Sequence, residues 1–389
     1  MNILFINDPS PYGGASAALL QLTRELTALG HNITVCTSKT PELDKKLRAA
    51  GAKVISCGHI PALTSKSAYA LKTLVKLAVF GGERLLGINR LALKKIEKST
   101  DLSKTDIIHT NSARSDLGCM IADKYCIPHI IHLREFRTNG FFLISMKYRF
   151  IKYISDRCNM FIAVSDAVKD NWVKSGLDSR KVIKIYDGVE LKAENKHKSS
   201  SKLRIIMAGS IEELKGQHIC IKAIRCLPKR IRENVTLDIY GWEDHRYKKY
   251  LDRLIKKYEL DSQIRFLGVR DGIGDILCNY DIGVMASRCE GFGLVTAEYM
   301  AAGLGVIASG SGASPEIVEH GKNGLIFNRD DPKQLAGYIA RLYSDRALLK
   351  TLGQNARKKA LAEFTAKTNA KRINDLYIQI LEDDIRRSK

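Results

Sequence analysis

The sequence predicts an α/β protein built as two Rossmann-like βαβ domains, each around a parallel sheet. Three observations carry this. Short apolar runs alternate with amphipathic stretches along the whole chain, the pattern of repeated strand–helix units. A length of 389 residues exceeds what one hydrophobic core usually holds, and a 45% hydrophobic content is enough to fill two. Between the halves, residues 190–202 (ELKAENKHKSSSK) carry almost no apolar side chain and read as an exposed linker. The boundaries follow: a first domain over 1–190, a linker at 191–202, a second domain over 203–365 and a C-terminal helix over 366–389.

Strands of the first series are predicted at 2–6, 32–37, 53–56, 106–109, 129–133, 160–164 and 182–186, each a short run rich in aliphatic residues. The opening MNILFIN has no basic leader and no long apolar stretch with a cleavage site, so it reads as the first buried strand and not as a signal peptide. Gly13 and Gly14 then precede a helical run, a glycine-rich helix start where backbone amides can approach an anion. This is not the G-x-G-x-x-G pattern, and no ribose-binding acid follows it, which disfavours NAD. The second series opens with LRIIMAGS at Leu203 and continues through VTLDIYG, IRFLG, DIGVMA and LGVIAS. Within AGSIEELKGQH a strand ends at Gly209 and Ser210 and a helix begins near Gly216, with Lys215 between them as a compact cation suited to a phosphate. Residues 332–364 read as successive helices and 366–387 as a last amphipathic one.

The most informative segment is 287–327, SRCEGFGLVTAEYMAAGLGVIASGSGASPEIVEHGKNGLIF. A short strand before it and helix formers at 296–302 make a strand–loop–helix unit. Gly291 and Gly293 lack side chains, so the amides of residues 291–294 (Gly291, Phe292, Gly293, Leu294) can meet an anion where the helix dipole also attracts it. Glu290 in the loop and Glu298 in the helix are placed to accept hydrogen bonds from different hydroxyl pairs of one elongated ligand.

The E-x7-E spacing, the EGFG turn, PEI at 315–317 and NGLIF at 323–327 occur together and in order, and the chain resembles the retaining glycosyltransferases of family 4. That resemblance implies the GT-B architecture, two Rossmann-like domains with parallel sheets facing a central cleft, and a last helix crossing back onto the first domain. It implies that Gly13 and Gly14 lie near the diphosphate and acceptor, and that Lys215 contacts the leaving phosphate. Ser210 stands where many members have arginine, so one of two expected cations is missing. The segment FLGVR, with Val269 and Arg270, resembles the one whose backbone holds the nucleobase. Glu298 resembles the glutamate that takes the ribose hydroxyls, and Glu290 the one on the sugar. His109, ending the strand DIIHTN, is the acceptor-side histidine candidate, though Asn111 replaces a second histidine common in the family. His132, ending the next strand before Arg134 and Glu135, is a lesser candidate.

The implied reaction moves a sugar from a nucleotide-diphosphate donor to a hydroxyl with retained anomeric configuration, as in bacterial polysaccharide or lipopolysaccharide synthesis. Catalysis would rest on positive charge fixed at the phosphate, from Lys215 and the amides at 291–293, with Glu290 on the sugar. No D-x-D motif and no His or carboxylate cluster with ligand spacing is present, so no metal or other cofactor is expected. A GT-B sugar-nucleotide epimerase is the alternative reading.

A formal charge of +21 calls for a partner. Residues 60–98 hold eight basic and two acidic side chains among leucines and valines, and 134–157 hold six basic ones among aromatic and aliphatic residues. Such stretches suit either an anionic membrane surface, with a glycan or lipid-linked acceptor and a peripheral place on the inner face of the membrane for a cytoplasmic protein, or core-facing helices with a solvated basic face. Nucleic acid is disfavoured, since no zinc-finger spacing, RNP-like strand or repeat code accompanies the charge. Nine scattered cysteines with no C-x-x-C pair read as reduced thiols with neither a disulfide framework nor a zinc site.

Overall fold

Each of the two strand series closes into its own parallel sheet. A computed structural model of the chain describes residues 1–7, 13–38, 40–65, 86–137, 143–145, 149–191 and 202–387. It divides into two compact units, one of residues Met1–Gly188 with Ala366–Lys389 and one of Val189–Thr365. Most of the linker at 191–202, residues 8–12 before Gly13, and large parts of the basic stretches at 60–98 and 134–157 lie outside the described residues.

In the first unit the strands are β1 (Asn2–Ile6), β2 (Asn32–Thr37), β3 (Lys53–Ser56), β4 (Leu63–Ser65), β5 (Ile107–Thr110), β6 (His129–Leu133), β7 (Leu143–Ser145), β8 (Met160–Ala163) and β9 (Val182–Lys184). Seven of them form the sheet β3-β2-β1-β5-β6-β8-β9, all parallel, while β4 and β7 make a separate antiparallel pair that the sequence did not announce. β1 explains why the sheet is covered on both faces. Its Ile3 and Phe5 join Leu19, Leu22 and Leu26 of the helix Gly14–Ala28, and its Leu4 and Ile6 join Ile96, Leu117 and Ile121 on the other side. Side chains alternate along a strand, so a run with no polar member must be buried twice. The helix Ala366–Arg387 completes the first of these cores with Ala370, Ile373, Leu376, Tyr377 and Ile380, an apolar stripe at helical spacing.

In the second unit β10 (Leu203–Ala208), β11 (Val235–Tyr240), β12 (Ile264–Phe266), β13 (Ile282–Met285), β14 (Gly305–Ser309) and β15 (Leu325–Phe327) form the parallel sheet β12-β11-β10-β13-β14-β15. β15, the three-residue edge strand inside NGLIF, was not foreseen as a strand. The helices Pro332–Ser344 and Arg346–Glu363 follow it and bury Leu335, Ile339, Leu342, Leu349 and Leu352 in the core of this unit. No helix among the described residues is long and apolar enough to cross a membrane.

Candidate functional site

The strand order of the second unit reverses between β10 and β13: from β10 the chain builds outward through β11 and β12, and from β13 it builds the other way. Loops leaving the carboxyl ends of two such strands diverge and leave a crevice, where open α/β sheets bind ligands. Lys215 sits in the loop after β10 and Glu290 in the loop after β13.

A glycine brings these loops together. Gly216 is left-handed (φ +77°) and a side chain there would put its Cβ 2.3 Å from the Ala286 carbonyl oxygen, so only glycine lets the loops touch. The Arg288 amide then donates to the Leu214 carbonyl at 2.7 Å. On that scaffold Lys215 Nζ donates to Glu290 Oε1 at 2.6 Å, with 24% and 14% of the two side chains exposed. Burial alone would lower the Lys215 pKa, but the charge and hydrogen bond of Glu290, with Glu212 and Cys289 adding, raise it above the ordinary lysine value. A fixed ammonium results.

Glu290 is held from the opposite side as well. Ser309 and Ser311 hydroxyls donate to the Ser287 carbonyl at 2.6 and 3.0 Å, and the Ala313 amide donates to the Glu290 carbonyl at 3.0 Å. Gly312, at φ +59°, passes so close that a Cβ would lie 2.5 Å from that same carbonyl oxygen. Gly293 (φ +87°) turns the chain into the helix Leu294–Ala301, whose N-terminus has neither a capping side chain nor an acidic residue in its first turn. No side chain of the helix itself offsets its positive end. The helix is set against the sheet by Tyr299, which lies over Gly283 and accepts the Ala208 amide at 2.7 Å on its hydroxyl.

One turn along, Glu298 has no side-chain partner among the described residues. Burial first, and the negative charge of Glu190 second, raise its carboxyl to about 7. Once ionised, an acid with no side-chain partner accepts a pair of hydroxyl donors.

The structure thus gathers Gly209, Ser210, Lys215, Glu290, Gly291 and Gly293 on loops after adjacent strands, with Leu294 opening the helix that follows. Ser210 donates to Glu212 Oε1 at 2.6 Å and brings no positive charge to the site. Phe292 is buried edge-on against Phe364, ring centroids 5.5 Å apart, so its side chain is part of the core and only its backbone faces the turn. Val269, 70% exposed, and Arg270 follow β12, two strands from β10 on the same edge of the sheet. The sequence reading passed over Trp242, which is 66% exposed just after β11 and whose carbonyl accepts the Ile211 amide. A lone tryptophan directly after VTLDIYG was the available signal.

In the first unit Gly13 and Gly14 are exposed at the start of the helix Gly14–Ala28, which again has no capping side chain and no acid in its first turn. Gly13 is fully extended, a conformation open to any residue, so its backbone does not require glycine. His109 lies elsewhere in character. It is 0% exposed, with Nδ1 2.6 Å from the Tyr377 hydroxyl and Nε2 3.2 Å from His132 Nδ1. Burial, then the charge of Arg134, push both histidines well below the ordinary imidazole range, so both are neutral. The expectation of an acceptor-side histidine meets a residue that anchors the last helix to β5. Beside it Arg134 donates to both Asp187 oxygens and to the carbonyl and side chain of Asn111, closing a buried network that also reaches Asn7. Asp187 and Tyr377 were not singled out in the sequence because their partners are far away along the chain.

Residues 189–359 match the family model described as Glycosyl transferases group 1, and residues 12–193 the one described as Glycosyltransferase Family 4. An uncharacterised glycosyltransferase of Methanocaldococcus jannaschii is 30% identical over 259 residues, 65% of this chain and 70% of that protein. The UDP-Gal:alpha-D-GlcNAc-diphosphoundecaprenol alpha-1,3-galactosyltransferase of Escherichia coli is 23% identical over 313 residues, 75% of this chain and 79% of that one. Among solved structures, Anabaena HepE in complex with UDP and glucose superposes with a TM-score of 0.79 at 21% identity, covering 97% of this chain and 100% of the other. With its two parallel sheets and these matches over both halves, the chain belongs to the GT-B glycosyltransferases of family 4.

Proposed function

We propose that the enzyme transfers a sugar from a nucleoside-diphosphate sugar to a hydroxyl acceptor with retention of anomeric configuration and without a catalytic metal. The observation that carries this reading is the Lys215–Glu290 pair, 2.6 Å apart at the switch point of the sheet, beside the uncapped helix start at Gly293. A diphosphate brings the charge that this cation and these amides are built to meet. In the reaction the bond from the anomeric carbon to the diphosphate oxygen breaks and its electron pair stays on the phosphate. Lys215 and the amides at the helix mouth stabilise that charge, and Glu290 accepts hydrogen bonds from the sugar hydroxyls. The acceptor oxygen attacks from the same face and its proton passes to the departing phosphate oxygen. Glu298, with its carboxyl raised to about 7, takes the ribose hydroxyls. His109, buried in the first unit, is given no role in this reading.

Support for the donor class comes from the UDP and glucose in the Anabaena structure, and for a lipid-linked acceptor from the substrate in the Escherichia coli relative's name. A panel of nucleotide sugars screened by thermal shift, followed by product analysis with the stabilising donor, tests the assignment. Transfer with the anomeric configuration kept, undiminished by excess EDTA over the minutes of the assay, is expected. Inversion, an isomerised sugar from donor alone, or a complete loss that magnesium reverses would each overturn it. The basic stretches at 60–98 and 134–157 give a further expectation, that the full-length protein co-sediments with anionic but not neutral liposomes at low salt. Equal sedimentation with both would remove the membrane from the proposal.

A further inference from the structure

Cys119, His129 and Cys158 come from three different elements and meet in the interior of the first unit. Cys119 lies in the first turn of the helix Leu117–Tyr125, His129 opens β6, and Cys158 closes the helix Phe150–Arg157. The two sulfurs and a ring nitrogen all lie within 4.8 Å of one another, with Cys158 Sγ 3.2 Å from His129 Nδ1. All three residues are buried. Two sulfurs alone would suit a disulfide, but the imidazole nitrogen beside them is a third donor for which a disulfide has no use.

We propose that this cluster is a structural site for a thiophilic divalent ion, zinc, bound by Cys119 Sγ, Cys158 Sγ and His129 Nδ1. The surroundings are built to orient the imidazole. Its Nε2 is 2.8 Å from Thr110 Oγ1, which accepts the ring N–H in the bound form and turns the Nδ1 lone pair toward the sulfurs. Gly118 makes room for that contact: a Cβ there would lie 2.1 Å from Thr110 Oγ1 and 2.7 Å from His129 Nε2. The Arg157 carbonyl oxygen lies 3.3 Å from Nδ1, and the three protein ligands leave the fourth position of a tetrahedral ion to a solvent oxygen.

Charge balance selects the ion. A divalent cation with two thiolates and a neutral imidazole sums to zero, so the core holds it without an unpaired charge, and uptake releases one proton from each thiol to solvent. Cys158 also lines an open cavity of about 500 Å³ with Ala122, Arg157 and Lys181, which gives an entry path. Side chains alternate along β6, and Ile130 belongs to the core shared with the terminal helix, so His129 faces the opposite side of the sheet. The ion would tie the helices Leu117–Tyr125 and Phe150–Arg157 to β6 within the first unit, and its role is stability.

The test uses reduced, chelator-treated full-length protein titrated with Co2+ and then Zn2+. About one equivalent of cobalt should give a thiolate-to-metal charge-transfer band that zinc abolishes, and zinc should raise the melting temperature. Cys119→Ser and Cys158→Ser should remove the band, Thr110→Val should weaken binding about 10- to 100-fold, and Cys57→Ser should change nothing. The proposal fails if the wild-type protein shows no band, which needs no variant to fold. It fails equally if the band survives in Cys158→Ser, or if mass spectrometry finds a Cys119–Cys158 disulfide in protein kept under thiol reductant.

Discussion

Lys215→Ala is expected to lower turnover by about 100- to 1000-fold, the scale of losing one preorganised charge at the position where charge develops. The substitution removes the ammonium that Glu290 holds at 2.6 Å and leaves that carboxylate, only 14% exposed, without its cation. Stability should fall too, by about 1–3 kcal/mol, below the figure for a fully buried pair because both side chains keep some solvent. A Lys215→Met, Glu290→Gln double variant separates the two effects, since it leaves no orphaned charge: stability should recover and turnover should not. Lys215→Arg should rescue poorly, because a planar fork does not fit where a point charge is needed. Steady-state kinetics showing a wild-type kcat for Lys215→Ala would sink the role assigned to this lysine.

Glu298→Gln should make the enzyme more stable at pH 8 and bind its nucleotide less well. The carboxyl is raised from 4.5 to about 7 in the folded chain. Between those values the folded protein binds a proton that the unfolded chain has released, so stability falls as pH rises through this window and the loss is complete above it. The cost is roughly 3 kcal/mol at most for such a shift. Glutamine removes the cost at pH 8 and changes little near pH 4.5, so the melting-temperature gain should grow with pH. Nucleotide affinity should run the other way in the wild type, tightening from pH 6 to 8 as the carboxylate forms, because a ribose diol donates to the ionised acid. Calorimetric titrations of the variant with a free nucleoside diphosphate should be weaker and should rise less over that range than those of the wild type, keeping only the pH dependence of the ligand's own terminal phosphate. A variant with wild-type affinity at pH 8, or with no stability gain there, would remove Glu298 from the nucleotide site.

Much of this was legible before any coordinates. Uninterrupted apolar runs such as Ile3–Ile6 had to be buried on two faces, which is why the strands and the α/β class could be read directly. The site loops were legible for a similar reason: Gly216 and Gly293 punctuate strand–loop–helix units, and their left-handed φ values are those that favour glycine. The pairing of Lys215 with Glu290 was not legible as a contact, since it depends on β10 and β13 being neighbours across 75 residues of chain. His109 shows the converse. Its strand-end position pointed to the acceptor, but Tyr377, 268 residues later, covers it. Cys119, His129 and Cys158 escaped because no ligand-spacing pattern spans a helix, a strand and another helix cap. β15 escaped because three residues are too few for a periodic signal.

The place of the terminal helix has a practical outcome. Ile373, Leu376 and Tyr377 supply part of the core that also contains Ile3, Phe5 and Leu22. A fragment ending at residue 188 would therefore present a bare apolar trough and aggregate, whereas residues 1–188 co-expressed with a 366–389 peptide should reassemble. Dissection of this enzyme has to respect the spatial halves and cannot follow a single cut in the gene.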